Sequence, residues 1–234
     1  MPRKRLASAA YHAMTRAAAH PVLALPVARL VGHGVVVSSS TQLVIEGYPQ
    51  SGNSAAVVGF LQAQPRPVEV AHHTHAPANV LAGLRRGIPV LVVVRDPREA
   101  VVAFALTKPM LSVRDALVGY VRFHQPLVRV RDAIVLARSA QTIDDMATVI
   151  QRVNARFGST FVQPARSAMS DERVNAGVER YWAERRGPGL PLVGRTEANP
   201  VSAESVRRSL ERAYDAPALA GLRERADRLF STLS

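Results

Sequence analysis

Hydrophobic positions along this 234-residue chain follow two alternating patterns. Short, continuous apolar runs at 42–45, 68–71, 89–94 and 133–137 are typical of strands buried on both faces. Segments with helical spacing follow these runs, at 54–64, 77–86, 98–106, 112–123 and 142–156. From residue 170 onward only helical spacing continues, at 170–186, 202–215 and 217–233. The alternation predicts an α/β fold: a doubly wound parallel sheet flanked by helices, with a helical C-terminal region.

We divide the chain into three parts of a single domain. Residues 1–41 are a basic helical segment that we expect to pack on the domain, 42–169 form the α/β core, and 170–234 form the helical region. The pairs Ser112–Asp115 and Thr142–Asp145 have the spacing of capping boxes, which predicts helix starts at both places. The last two helices carry apolar residues at helical spacing, which favours either closure of the domain or a homodimer contact.

The charge balance narrows the choice of partner. Thirty Lys and Arg against 18 Asp and Glu give a formal charge of +12, which favours anionic partners. All but Lys4 and Lys108 of the basic residues are arginines, the better bidentate phosphate ligands. The absence of cysteine excludes disulfides and thiolate metal sites. Aromatic residues make up only 5% of the chain, with Trp182 the one tryptophan, so we expect no nucleic-acid partner.

The N-terminal segment is basic and contains no acidic residue before Glu46. No apolar run in the chain reaches the roughly 18 residues of a membrane span. Arginines interrupt the N-terminal apolar stretch, so we expect a cytoplasmic protein without a cleaved secretory signal. Two interpretations of 1–41 stay open: a helix packed on the domain, or a basic amphipathic helix in peripheral contact with a membrane.

A glycine-rich loop follows the first predicted strand. Residues 47–54 (GYPQSGNS) fit the pattern G-x-x-x-x-G-x-[ST], with a strand before and a helix after. Backbone N–H groups and a helix N-terminus in such a loop can cradle a phosphate; the alternative is an ordinary strand-to-helix turn. A nucleoside-triphosphatase loop has lysine where this chain has Asn53, which disfavours ATP or GTP hydrolysis.

Two further candidate segments follow other strands. Arg95, next to the helix start expected at Pro97, predicts a second phosphate site, or alternatively a structural Arg–Asp pair with Asp96. Three histidines lie in the run 72–75 (HHTH). On an extended strand His73 and His75 would face one side and His72 the other, so we expect no metal site. A single general base is one interpretation of this run, and a solvated or core histidine is the other.

The three segments in this order resemble the P-loop sulfotransferase family, of a divergent bacterial type. The run 48–54 resembles the family's Y-P-K-S-G-T-[TS] loop, 73–77 (HTHAP) its K-T-H-L-P, and 92–99 (VVVRDPRE) its v-v-R-[ND]-P-[RK]-[DE]. The resemblance covers roughly 42–104 and, more loosely, the run to Gly158. It implies a P-loop-type sheet and the donor 3′-phosphoadenosine 5′-phosphosulfate (PAPS), with 3′-phosphoadenosine 5′-phosphate as product.

The resemblance also implies roles for individual residues. The catalytic base would be His75, and Gln50 would replace the family's loop lysine beside the sulfonate. In the loop, the other donor-binding residues would be Pro49, Ser51, Gly52, Asn53 and Ser54. Arg95 would bind the 3′-phosphate, and Ala103 stands where the family has a serine that helps to bind it. Arg185 and Arg186 would also bind the donor, because they lie next to 187–189, a faint counterpart of the family's late glycine-rich segment.

The implied activity is sulfuryl transfer from PAPS to a hydroxyl or amine of a small-molecule, carbohydrate or lipid acceptor. No metal is expected. The changes at Gln50 and Ala103 keep an alternative open, a protein on the same fold that binds a nucleotide or phosphoanion without transferring sulfate.

Overall fold

A computed structural model of the chain describes residues 2–32, 34–164, 171–186 and 200–234. Four strands form one parallel sheet in this part: β1 (Leu43–Gly47), β2 (Val70–His72), β3 (Val90–Val94) and β4 (Val135–Arg138). Their order across the sheet is β2-β1-β3-β4. The predicted α/β class, the parallel sheet and all four strand positions are confirmed. β3 ends at the predicted residue, and the other three strands end one or two residues later than predicted.

The apolar strands are continuous because helices cover both faces of the sheet. Val44, Val90 and Val92 point into a core on one face, while Leu43 and Leu91 point into a core on the other. All of these side chains are fully buried.

Helices flank the sheet on both faces and make up most of the chain. They are α1 (Pro2–Ala17), α2 (Pro21–Leu30), α3 (Asn53–Ala63), α4 (Pro77–Arg85), α5 (Pro97–Thr107), α6 (Val113–His124), α7 (Gln141–Asp144), α8 (Met146–Phe157), α9 (Asp171–Arg186), α10 (Pro200–Asp215) and α11 (Ala220–Leu233). α3, α8 and α9 share one core, and α4, α5, α6, α10 and α11 share the other. The last two helices close the domain on α5 and α6, the first of the two expectations for them.

Two helix starts test the predicted capping boxes. The box at the start of α6 is confirmed, because Ser112 accepts from the Asp115 N–H and Asp115 accepts from the Ser112 N–H. The box from Thr142 is wrong: the chain makes the single turn α7 first, and Asp145 itself caps α8 by accepting from the Thr148 N–H.

The N-terminal segment forms two helices, and both contact the domain. Tyr11 of α1 packs so closely on α6 that a Cβ at Gly119 would clash with its ring. Ser8 and His12 also reach Asp115, each at 2.8 Å. α2 packs on α4. No helix among the described residues is long and apolar enough to cross a membrane.

The sheet order gives the neighbouring strands β1 and β3 the position of a topological switch point. After β1 the chain turns to the face that carries α3, and after the neighbouring β3 it turns to the opposite face, which carries α5. Open α/β sheets bind their ligands outside the carboxyl ends of two strands whose following helices diverge in this way. The three candidate segments of the sequence all lie at this edge.

Candidate functional site

The loop 47–54 turns tightly between β1 and α3. Gln50 and Gly52 both have left-handed backbone, with φ of 65° and 91°. A Cβ at Gly52 would lie 2.8 Å from the Ser139 Oγ, in the segment after β4. Glycine is therefore required at position 52 both by its conformation and by close packing. Gln50, by contrast, is a non-glycine residue held in this conformation, and its side chain is exposed.

The loop holds several polar groups that are unpaired in the described part of the chain. The backbone N–H groups of Asn53 and Ala55, in the first turn of α3, have no acceptor there. The Ser51 hydroxyl is fully buried and also lacks a partner, as does the side-chain oxygen of Asn53. Buried polar groups are normally paired, so unpaired donors beside a helix N-terminus suit a bound anion. Pro49 lies half-buried at the start of this turn.

Behind the loop, β1 carries a buried carboxylate that the sequence analysis missed. Glu46 is fully buried and accepts hydrogen bonds from the Thr74 N–H (3.0 Å), the Thr74 hydroxyl (2.6 Å), the His75 N–H (3.2 Å) and the Asn79 amide (3.0 Å). Burial raises the pKa of Glu46, and these bonds offset part of that rise. Glu46 thereby ties the histidine segment to β1. The feature of the sequence that could have identified Glu46 is a single acidic residue at the end of an apolar strand.

The histidine segment is not extended, contrary to our expectation. β2 ends at His72, and His73 and His75 both have positive φ, of 58° and 50°. The predicted alternation of faces therefore fails, and the His72 and His73 rings contact each other, with their Nδ1 atoms 2.7 Å apart. Among the described residues there is no group of three or more His, Cys, Asp or Glu side chains that could hold a metal ion.

His75 reaches back to the glycine-rich loop. Its Nδ1 lies 2.8 Å from the Gly47 carbonyl oxygen, which can only accept, so Nδ1 carries the proton and Nε2 carries the lone pair. Burial is the main cause that lowers the His75 pKa, and the charge of Lys108 lowers it further. A neutral imidazole with an Nε2 lone pair is the form that a general base requires.

A second hydrogen-bonded chain leaves the loop from Ser54. Its hydroxyl lies 2.9 Å from His73 Nε2, and the His73–His72 contact continues to the Tyr181 hydroxyl, 2.5 Å from His72 Nε2. Ser54 is thus positioned by the histidine segment and by α9 together. Sequence reasoning placed Ser54 in the loop but did not foresee this link.

Arg95 contacts the loop from the end of β3. Its Nη1 donates to the Gln50 carbonyl oxygen at 2.9 Å, and its Nε donates to Glu99 at 3.0 Å. Asp96 caps α5 instead by accepting from the Glu99 N–H, so the alternative of a structural Arg–Asp pair is wrong. Pro97 is the first residue of α5, as predicted. Arg98 points away and makes a bidentate pair with Asp215.

Three other predicted residues add less to this geometry. Ala103 lies half-buried on α5, and its methyl group offers no hydrogen bond. Arg185 and Arg186 fall at the end of α9, and their side chains lie outside the described residues. The proposed glycine-rich counterpart at 187–189 also lies outside them.

The site therefore combines a glycine-rich turn with unpaired N–H groups, an imidazole protonated at Nδ1 and an arginine at one edge of the sheet. No model of a known protein family matches the sequence, and no curated protein matches it.

Proposed function

We propose that the protein is a sulfotransferase-like enzyme of the P-loop type, which transfers a sulfuryl group from PAPS to a hydroxyl or amine. One observation carries the proposal: His75 and Arg95, from two different segments, both bond to backbone carbonyls of the same loop, at Gly47 and Gln50. Three motifs that resemble one family in the sequence are thus adjacent in space.

The loop suits the phosphosulfate end of the donor. The unpaired N–H groups of Asn53 and Ala55 supply donors for anionic oxygens. Arg95, with one-third of its side chain exposed, supplies a guanidinium for the 3′-phosphate. The donor, when bound, supplies a sulfur atom whose bond to the phosphate oxygen breaks as a bond to the acceptor oxygen or nitrogen forms.

His75 would accept the proton of the acceptor. Its bond to the Gly47 carbonyl fixes the tautomer and the ring orientation, and its lowered pKa keeps the ring neutral near pH 7. Positioned general bases contribute about 10²–10⁴-fold to a rate. The rest of the rate enhancement would come from holding donor and acceptor in line within an anion-binding site.

A second candidate function has its own supporting observation. The position of the family's loop lysine holds Gln50, which is exposed and uncharged, and Glu99 pairs with the Arg95 guanidinium. A loop with less positive charge stabilises a transferring sulfonate less, which favours a protein that binds a phosphoanion without transfer.

Binding separates these candidates from other functions. In a thermal-shift titration with 3′-phosphoadenosine 5′-phosphate, saturation at 100 times the Kd adds about 2.7 kcal/mol and raises Tm by about 5–10 °C. AMP and ATP are the controls for the 3′-phosphate. R95A should weaken binding of the 3′-phosphorylated nucleotide at least tenfold, while R98A, whose guanidinium is held by Asp215, should not. A wild-type protein that binds neither these nucleotides nor inorganic phosphate would refute both candidates.

Transfer separates the two candidates from each other. The wild-type protein is incubated with ³⁵S-labelled PAPS and a panel of hydroxyl and amine acceptors. If it is an enzyme, it should form labelled product, whereas H75A should form none and still bind the nucleotide with wild-type affinity. The acid limb of the rate profile should fall below the usual histidine pKa, because His75 must be neutral. Nucleotide binding without labelled product from any acceptor would favour the non-catalytic candidate.

A further inference from the structure

The outward face of α2 is made of bulky aliphatic side chains. Val22 and Leu30 are 83% and 88% exposed, and Leu23, Val27 and Val31 are each more than half exposed. The inward face is built from smaller side chains with one leucine, Leu25, which packs against the start of α4. Surface helices of soluble domains normally show the opposite arrangement, with polar residues outward.

Neighbouring polar groups do not break this apolar face. Arg29, the one charged residue of α2, turns its guanidinium to the Val37 carbonyl oxygen at 2.7 Å. α1, which contacts α2, exposes two further apolar side chains, Leu6 and Met14, which are 72% and 56% exposed. The charged side chains that α1 exposes are all basic: Arg3, Lys4, Arg5 and Arg16.

The charge of this surface indicates what covers it. The chain has no Asp or Glu before Glu46, so α1 presents four basic residues and neither helix carries an acidic one. We propose that this surface, which we call the α1–α2 face, docks into the headgroup region of an anionic membrane. Aliphatic side chains enter the acyl boundary while the surrounding cations contact lipid phosphates.

The length of α2 fixes how it docks. Ten residues of α-helix span about 15 Å, half the hydrocarbon thickness of a bilayer of about 30 Å. α2 therefore lies in the plane of the interface, with its outward face inserted. The exposed part of that face has aliphatic side chains and neither aromatic nor hydrogen-bonding groups, unlike the core of a protein–protein interface.

The α1–α2 face is attached to the site on both sides. Before α2, the Ala18 carbonyl accepts from the Ala78 N–H, three residues after His75. After α2, Val35 pairs with His72 through two backbone hydrogen bonds of 2.7 and 2.9 Å. A membrane-docked protein thus holds its histidine segment at a fixed place relative to the lipid surface.

Vesicle co-sedimentation of the full chain tests the proposal. The probes are phosphatidylcholine vesicles with and without phosphatidylglycerol. The wild-type protein should bind the anionic vesicles far more than the neutral ones. V27S/L30S should lower the partition coefficient about tenfold, because it removes inserted aliphatic surface. R3Q/K4Q/R5Q should lower binding to anionic vesicles by up to about a hundredfold. V162S/V206S removes exposed aliphatic side chains elsewhere and should change nothing.

Two results would overturn the proposal. One is a wild-type protein that does not sediment with anionic vesicles. The other is a V27S/L30S variant that binds as the wild type does, since the aliphatic face would then take no part. A dimer in light scattering that V27S/L30S abolishes, without vesicle binding, would assign the face to a second copy of the chain. All variants should melt at the temperature of the wild type, because every substituted side chain is exposed. Such melts would show that the variants are folded.

Discussion

Removing the Glu46 carboxylate tests whether it holds the histidine segment in place. Its Oε1 accepts three hydrogen bonds, from the Thr74 N–H, the Thr74 hydroxyl and the Asn79 amide, and its Oε2 accepts one, from the His75 N–H. E46A leaves all four donors without this acceptor in a fully buried place. E46Q keeps an oxygen at the Oε1 position and loses only the bond from His75.

The two substitutions should therefore differ widely. A buried donor left unpaired costs about 1–3 kcal/mol, and water that enters the space left by the side chain recovers part of this. We expect E46A to lower the free energy of unfolding by about 3–5 kcal/mol and Tm by about 10 °C. E46Q loses one hydrogen bond of about 1 kcal/mol but also removes a buried charge, so its stability at pH 7 should stay near that of the wild type.

The pH dependence gives an independent check. Burial raises the folded-state pKa of Glu46, so the folded protein holds this proton to higher pH than the unfolded chain does. The contribution of Glu46 is complete below its unfolded pKa and is lost as pH rises through the folded value. Relative to E46Q, the wild type should thus lose stability as pH rises from about 4.5, the usual value for glutamate.

Urea denaturation of the wild type, E46A and E46Q across this range measures both effects. E69A, which truncates an exposed glutamate on the approach to β2, is the matched control and should change stability by less than about 0.5 kcal/mol. The reasoning fails if E46A is no more destabilised than E69A, or if the wild type gains stability over E46Q as pH rises.

Two other substitutions probe single positions. G52A should abolish the proposed nucleotide binding and lower Tm, because its Cβ would lie 2.8 Å from the Ser139 Oγ. The control is G87A, at a similar φ with open space around it. G87A should lower the free energy of unfolding by only about 1 kcal/mol, as measured in thermal melts, and leave binding intact. Burial lowers the pKa of His124 to about 4 from 6.5, so the wild type should lose about 3 kcal/mol of stability as pH falls through that window. H124F should lack this acid-sensitive loss, and urea titrations at pH 7 and pH 4 that show equal losses in both proteins would contradict the assignment.

The parts of the fold that local pattern determines were predictable. The run at 89–94 is apolar at every position, and a strand of that kind is stable only under helices on both faces, which led directly to a parallel sheet. The Ser112–Asp115 box also depends only on residues three apart, and it forms as expected. Thr142 failed as a cap because α7 intervenes, and the hydrogen bond from its hydroxyl goes to the Ser139 carbonyl instead.

The parts that depend on distant contacts could not be predicted. His73 and His75 adopt left-handed backbone because Glu46, nearly thirty residues earlier, accepts hydrogen bonds from Thr74 and His75. A strand pattern of alternating faces has no information about such a constraint. The Ser54–His73 bond has the same origin, since it exists only once this turn is made.

The contacts that assemble the site depend on the backbone of the loop and not on the side chain at position 50. Arg95 bonds to Gln50 through the backbone carbonyl, which any residue at position 50 would supply. His75 likewise bonds to the carbonyl of Gly47 and not to a side chain. In the proposed sulfotransferase, Gln50 in place of the family's loop lysine would thus remove a positive charge without removing a contact that holds the three segments together. Geometry and charge are separable at this position, so Q50K is expected to raise the rate of transfer without moving Tm by more than a few degrees.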